Sequence, residues 1–173
     1  NVLDCCLEGG PGMRQRAVAT ERHFGFNFGD RLQWLFGDLS LASEDDINDL
    51  AATAIAGNIA LIVIDTLSAS IRGVLDESSN PHMSRMLQLA YRLAEMTGAT
   101  VLIVHHAGHR SDHERGASTL RNDVDTSISV SMSSGRGTWK AVKSKDGPTG
   151  LSGRFDLLPA FTSSADGEWV RSM

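Results

Sequence analysis

Two short apolar runs each end in polar side chains: Leu61-Ile62-Val63-Ile64 closes on Asp65, and Thr100-Val101-Leu102-Ile103-Val104 closes on His105 and His106. Unbroken runs of this length, rich in β-branched residues, suit strands covered on both faces, as in a parallel sheet, better than strands with one wet face. Between them Met83, Met86, Leu87, Ala90, Leu93, Ala94 and Thr97 recur at three- and four-residue intervals, and Gly98 follows. That spacing predicts one helix with a core-facing stripe, ended by glycine. A strand–helix–strand unit crosses over right-handedly, so the two strands run parallel and bring Asp65 and His106 to one carboxyl edge. Open α/β folds bind their ligands at that edge.

The rest of the chain extends this α/β pattern. Residues 2–7 read as a strand leading to Glu8 and the turn Gly9-Gly10-Pro11-Gly12, and Met13 to His23 suits a helix. Leu32, Trp34 and Phe36 alternate as in a short strand. Ser43 precedes an acidic first turn and is expected to cap a helix to about Ala56, with Ile47, Leu50, Ala54 and Ile55 inward. A loop carrying Ser68, Ser70 and Arg72 runs to Asn80, which reads as the cap before Pro81. After a polar loop (Gly108 to Arg115) and a short helix from Gly116 to Arg121, alternating segments Thr126–Ser131, Thr138–Lys143 and Leu151–Leu157 predict a mostly antiparallel extension. Lys145-Asp146-Gly147-Pro148 is the clearest turn signal there, and the last dozen residues are expected to be a frayed edge.

Composition limits the classes open to such a chain. Its 173 residues, 41% hydrophobic and 21% charged, suit one soluble domain spanning 1–173, and no apolar run is long enough to cross a membrane. The opening residues carry neither a basic leader nor a long apolar stretch and do not read as a signal peptide. Cys5 and Cys6 are adjacent and have no third cysteine to pair with, which suits a reducing cytoplasm. A net charge of -5 argues against coating nucleic acid by charge alone. Residues 1–100 hold 7 Lys/Arg against 13 Asp/Glu, whereas 101–173 hold 9 against 8. Polyanion contacts are therefore expected on particular loops of the later half.

The strand-end residues permit specific chemistry. An aspartate in the position of Asp65 either holds Mg²⁺ through water or caps the following turn. Glu8 is either the carboxylate that orients a water attacking a γ-phosphate or an ordinary charged turn residue. His105 and His106 point to opposite faces, and His106 is the one expected beside a phosphate. His105, His106, His109, Asp112 and His113 carry ligand atoms suited to zinc, with Asp65 able to join them, yet they lack the spacing of a tight zinc site. Lys143 and Lys145 have the i,i+2 spacing that sends both ammonium groups one way, either to solvent or to a nucleotide held by a neighbouring subunit. GxxxxGK[ST], the phosphate-cradling loop, occurs nowhere in the sequence.

Five stretches in order carry a resemblance: Leu7 to Arg16, Leu61 to Ser68, Val104 to Gly108, Arg115 to Arg121, and Lys143 to Gly147. Together they resemble a RecA-like P-loop NTPase core, specifically the AAA-family ATPases related to the hexameric plasmid replicative helicase RepA. The resemblance implies a mostly parallel sheet flanked by helices, with ATP and Mg²⁺ as cofactors. It makes Glu8 the catalytic carboxylate, Asp65 the magnesium-site residue and His106 the γ-phosphate sensor. Lys143 and Lys145 become trans-acting fingers, and Arg121 an interface or phosphate contact. Loop 107–115, with Arg110 and Arg115, would touch single-stranded DNA, and the parent protein would be a homo-oligomer, commonly a hexamer. The family's P-loop strand and helix are expected ahead of Asn1, leaving 1–173 as a partial domain with little ATPase activity by itself. A RecA-like ATPase of recombination or regulation, and a non-catalytic interaction module, are the alternatives.

Overall fold

The structure, a computed structural model, describes residues 1–106, 118–163 and 169–172. In chain order its elements are β1 (Val2–Cys6), α1 (Gly10–Phe24), β2 (Leu32–Phe36), α2 (Glu44–Ala56), β3 (Leu61–Asp65), α3 (Leu67–Ser70), α4 (Asn80–Thr97) and β4 (Thr100–Val104). Then follow α5 (Ser118–Asp123), β5 (Thr126–Ser133), β6 (Arg136–Ser144), β7 (Ser152–Asp156), β8 (Ala160–Ser163) and β9 (Trp169–Ser172). They form two compact units: Asn1–Gly10 with Phe28–Leu120, and Pro11–Asn27 with Arg121–Met173.

In the first unit four strands make a wholly parallel sheet in the order β2-β1-β3-β4. Register sorts their side chains into two sets of rows. Leu3 lies beside Ile62 and Val101, and Cys5 beside Ile64 and Ile103. Leu3, Cys5, Ile62 and Ile64 are buried, so this is the face that carries the core. The other face ends in the row Cys6–Asp65–Val104, and there Leu102 and Val104 of β4 stay exposed. Helices α2 and α4 pack against each other, and α4 against β4. They bring Ile47, Leu50, Ala51 and Ala54, then Met83, Met86, Leu87, Ala90 and Leu93, into the core. Ile55 is exposed, because it falls off the α2 stripe onto the solvent side.

Local signals place the helix ends. Ser43 Oγ accepts from Asp46 N and donates to Asp46 Oδ1, while Asp46 Oδ2 accepts from Ser40 N, a reciprocal cap on α2. For α4 the cap is Ser79, whose hydroxyl accepts from His82 N. Asn80 is the first helical residue, and its side-chain oxygen accepts instead from Thr119 Oγ1 at 2.9 Å, which is why the expected cap moves back by one. Gly98 ends the helix at φ 68°, a left-handed conformation glycine adopts without steric cost. Helix α1 starts at Gly10, earlier than expected, and α3 occupies residues expected to be loop.

The second unit bears out the antiparallel C-terminal part. Its strands β5-β6-β7 bond to one another as a separate three-stranded sheet. Ser134 and Gly135, at φ 50° and 81°, make the two-residue turn between β5 and β6. Lys145 to Pro148 lie in the longer β6–β7 connection. On one face Val130 pairs with Trp139, and Met132 with Gly137, which in turn pairs with Phe155. A side chain at position 137 would meet the Phe155 ring at 2.1 Å, so glycine fits there. Within the C-terminal stretch, expected to be a frayed edge, the described residues of β8 and β9 pair antiparallel.

Candidate nucleotide-hydrolysis site

The site lies at the carboxyl edge of the parallel sheet. Cys6 of β1, Asp65 of β3 and Val104 of β4 form its last hydrogen-bonded row. Glu8 and His106 each stand two residues beyond that row. They come within reach of each other, with Glu8 Oε2 3.9 Å from His106 Nε2. Leu7 N donates to Asp65 O at 2.7 Å, which fixes the chain between β1 and Glu8 against the end of β3. The Asp65–Thr66 peptide is cis, and Thr66 Oγ1 accepts from Ala69 N to cap α3. The turn after β3 is thus capped by Thr66.

The two histidines diverge as strand alternation requires. The His105 side chain is 16% exposed and turned inward, whereas His106 is 65% exposed. Two charged residues that sequence reasoning left without a role come from the loop between α3 and α4. Arg72 Nη2 donates to Glu8 Oε1 at 2.8 Å. Glu77 Oε1 accepts from Ser68 Oγ at 2.8 Å and lies 3.4 Å from His105 Nδ1. The signal for them was positional. A loop that follows the strand bearing Asp65 must pass the carboxyl edge, so its charged residues belong among the candidates.

The donor set fits Mg²⁺ better than zinc. Magnesium takes oxygen ligands and needs only one or two carboxylates beside phosphate and water, and this edge supplies Asp65 and Glu8. Zinc would need three or four clustered His, Cys, Asp or Glu side chains. Among the described residues no group of three or more His, Cys, Asp or Glu is arranged to hold a metal. Both cysteines are buried in β1, and the Cys5 thiol is pushed up to about 12 by burial, then by the charges of Asp4 and Cys6. His109, Asp112 and His113 lie outside the described residues, as does loop 107–115 with Arg110 and Arg115.

In the second unit Lys143 Nζ donates to Asn122 O, and Lys145 Nζ to Asp125 Oδ1 at 3.1 Å. Both ammonium groups therefore reach residues 122–125. Arg121 lies within α5, in the same unit.

An AAA domain family matches residues 1–112, the stretch holding Glu8, Asp65 and both histidines. The chain belongs to the AAA domain family. No curated protein matches it. Among solved structures it is similar to the RadB recombinase, with a TM-score of 0.66 at 22% identity over 91% of this chain and 76% of that one. At that identity the likeness concerns the fold, which is RecA-like. In open α/β sheets ligands bind outside the carboxyl ends of the strands, which here is the edge formed by β1, β3 and β4.

Proposed function

We propose that these residues form part of an ATP-hydrolysing motor domain of the kind found in RepA-like hexameric replicative helicases, coupling hydrolysis to movement along single-stranded DNA. The observation that carries it is the meeting of Glu8 and His106 beyond the row that ends in Asp65. In this reading Glu8 orients a water in line with the γ-phosphate and accepts its proton as the new O–P bond forms and the bond to the β-phosphate oxygen breaks. Asp65 would hold Mg²⁺ through water, and the ion supplies charge neutralisation on the phosphates. His106, hydrogen-bonded to the γ-phosphate, reports its loss to loop 107–115, where Arg110 and Arg115 contact DNA phosphates.

Lys143, Lys145 and Arg121 would serve a nucleotide on a neighbouring subunit. The two lysines reach it only after exchanging Asn122 and Asp125 for phosphate, a trade favoured when the incoming anion carries more charge. Residues 1–173 then act as one partial RecA-like domain working in the cytoplasm. Consistent with that, no helix among the described residues is long and apolar enough to cross a membrane. The cradle of backbone amides and a P-loop lysine would come from outside these residues. The open outer edge of β4, with Leu102 and Val104 exposed, favours such an addition.

Phosphate release under saturating Mg·ATP tests this reading, in the 173-residue chain and in a longer chain with a GxxxxGK[ST] segment ahead of Asn1. We expect little turnover from the first. From the second we expect turnover that single-stranded DNA stimulates and Glu8→Gln abolishes. Turnover indifferent to DNA would refute the motor. The likeness to a recombinase fold favours a second reading, a RecA-like ATPase of recombination. Separation of a forked duplex distinguishes the helicase from strand exchange between homologous DNAs.

A further inference from the structure

The parallel ladder between β3 and β4 stops at the pair Asp65–Val104. Beyond it, no strand pairing fixes the turn after Asp65 relative to the segment that carries His106. Glu77 occupies that gap. Its Oε1 accepts from Ser68 Oγ at 2.8 Å, three residues past Asp65, and lies 3.4 Å from Nδ1 of His105, the residue just before His106. The Glu77 side chain is only 26% exposed, so the contact is more sheltered than the Arg72–Glu8 pair at 72% and 38%. Its own loop is built rather than slack. Asp76 N donates to His82 Nδ1 at 3.0 Å, Ser78 N and Oγ both donate to Asp76 Oδ1, and Ser79 caps α4.

We propose that Glu77 is a positioning residue: with one carboxylate oxygen that accepts from Ser68 and lies within ion-pair distance of His105, it ties the turn after β3 to the end of β4 and sets the spacing between Asp65 and His106. The consequence for phosphate binding rests on the proposed function, but the tie itself does not. The Glu77 carboxylate stands at ion-pair rather than hydrogen-bond geometry from Nδ1, and its charge there favours the His105 tautomer that carries the proton on Nδ1. A merely space-filling residue at position 77 would not do so. The hydrogen bond to Ser68 steadies the first turn of α3, whose cap, Thr66, is joined directly to Asp65.

Nitrogen NMR of the whole chain labelled with ¹⁵N-histidine, at a pH where imidazole is neutral, tests this. His105→Gln identifies the His105 signals. Wild type should show His105 protonated at Nδ1. In Glu77→Ala that preference should be lost, while amide exchange at Ala69 and Ser70 quickens about tenfold and the α2 amides stay unchanged. Glu77→Met, similar in length but without a carboxylate, should behave like Glu77→Ala and covers the case in which the smaller side chain unfolds the loop. Glu77→Gln, which keeps an acceptor oxygen, should restore much of both signals. An unchanged His105 tautomer in Glu77→Ala or Glu77→Met, or faster exchange spread evenly over the first unit, would overturn the proposal. Binding of a fluorescent nucleotide to the longer chain reports separately. Its absence from the wild type would count against the ATPase assignment, whatever the imidazole signals show.

Discussion

Glu8 and His106 stand 3.9 Å apart although β1 and β4, the strands that deliver them, are not neighbours. β3 runs between those strands and stops at Asp65, so the contact closes across its end. Three strands thereby contribute one polar side chain each to a single rim, and the contact depends on parallel pairing in register. A slip of one residue in either ladder would turn the strand's side chains to the opposite face.

Replacing Arg72 with alanine should scarcely affect folding. The guanidinium is largely exposed, and an exposed ion pair contributes about 0–1 kcal/mol. Urea denaturation should therefore give nearly the wild-type midpoint. If Glu8 has the proposed role, turnover in the longer chain should change by a larger factor than stability does, because Arg72 occupies one of the two Glu8 oxygens.

Ile64→Ala should be severe. Ile64 is fully buried between Cys5 and Ile103 in the row that carries the core, and truncations of this kind cost about 2–5 kcal/mol. Equilibrium urea unfolding should show the loss in the transition of the first unit.

Ser43→Ala should cost about 1 kcal/mol, since it removes the α2 cap and leaves Asp46 with only its bond from Ser40. Ser43→Gly should cost less. Both are measurable by chemical denaturation followed by helical circular dichroism.

Alkaline pH should weaken the fold through Cys5. Its thiol has an ordinary value of 9.0 and stands at about 12 in the folded chain. Above pH 9 the unfolded chain gives up this proton while the folded chain keeps it, so proton binding favours the folded state less and less. This part of the stability is whole below pH 9 and is lost as pH rises toward 12. Denaturation midpoints across pH 8 to 11 should fall accordingly. Iodoacetamide at pH 8 should leave Cys5 unmodified until the chain unfolds.

The parts of the molecule visible in the sequence are those set by short-range pattern. Leu61 to Asp65 and Thr100 to Val104 announce parallel strands, Met83 to Leu93 announces the helix between them, and Ser43 and Gly98 announce helix ends. The divergence of His105 from His106 follows from strand alternation. What the sequence hides depends on partners far along the chain. Ser79 takes the α4 cap because Thr119 engages Asn80, 39 residues away. Arg72 finds Glu8 across 64 residues. Glu77 gains meaning only when Ser68 and His105 are seen beside it. Ile55 fails as a core residue because one helical position separates an inner stripe from a wet one.

The first unit separates its skeleton from its chemistry by a narrow margin. On the core face of the sheet the apolar strand side chains end at Cys5, Ile64 and Ile103, and the rim residues Glu8, Asp65 and His106 all begin at or after the next residue along. Substitutions on the rim therefore meet little steric resistance from the interior. A lineage built on this frame is free to explore new substrates and new timing through changes at a few exposed positions, with the interior left as it is.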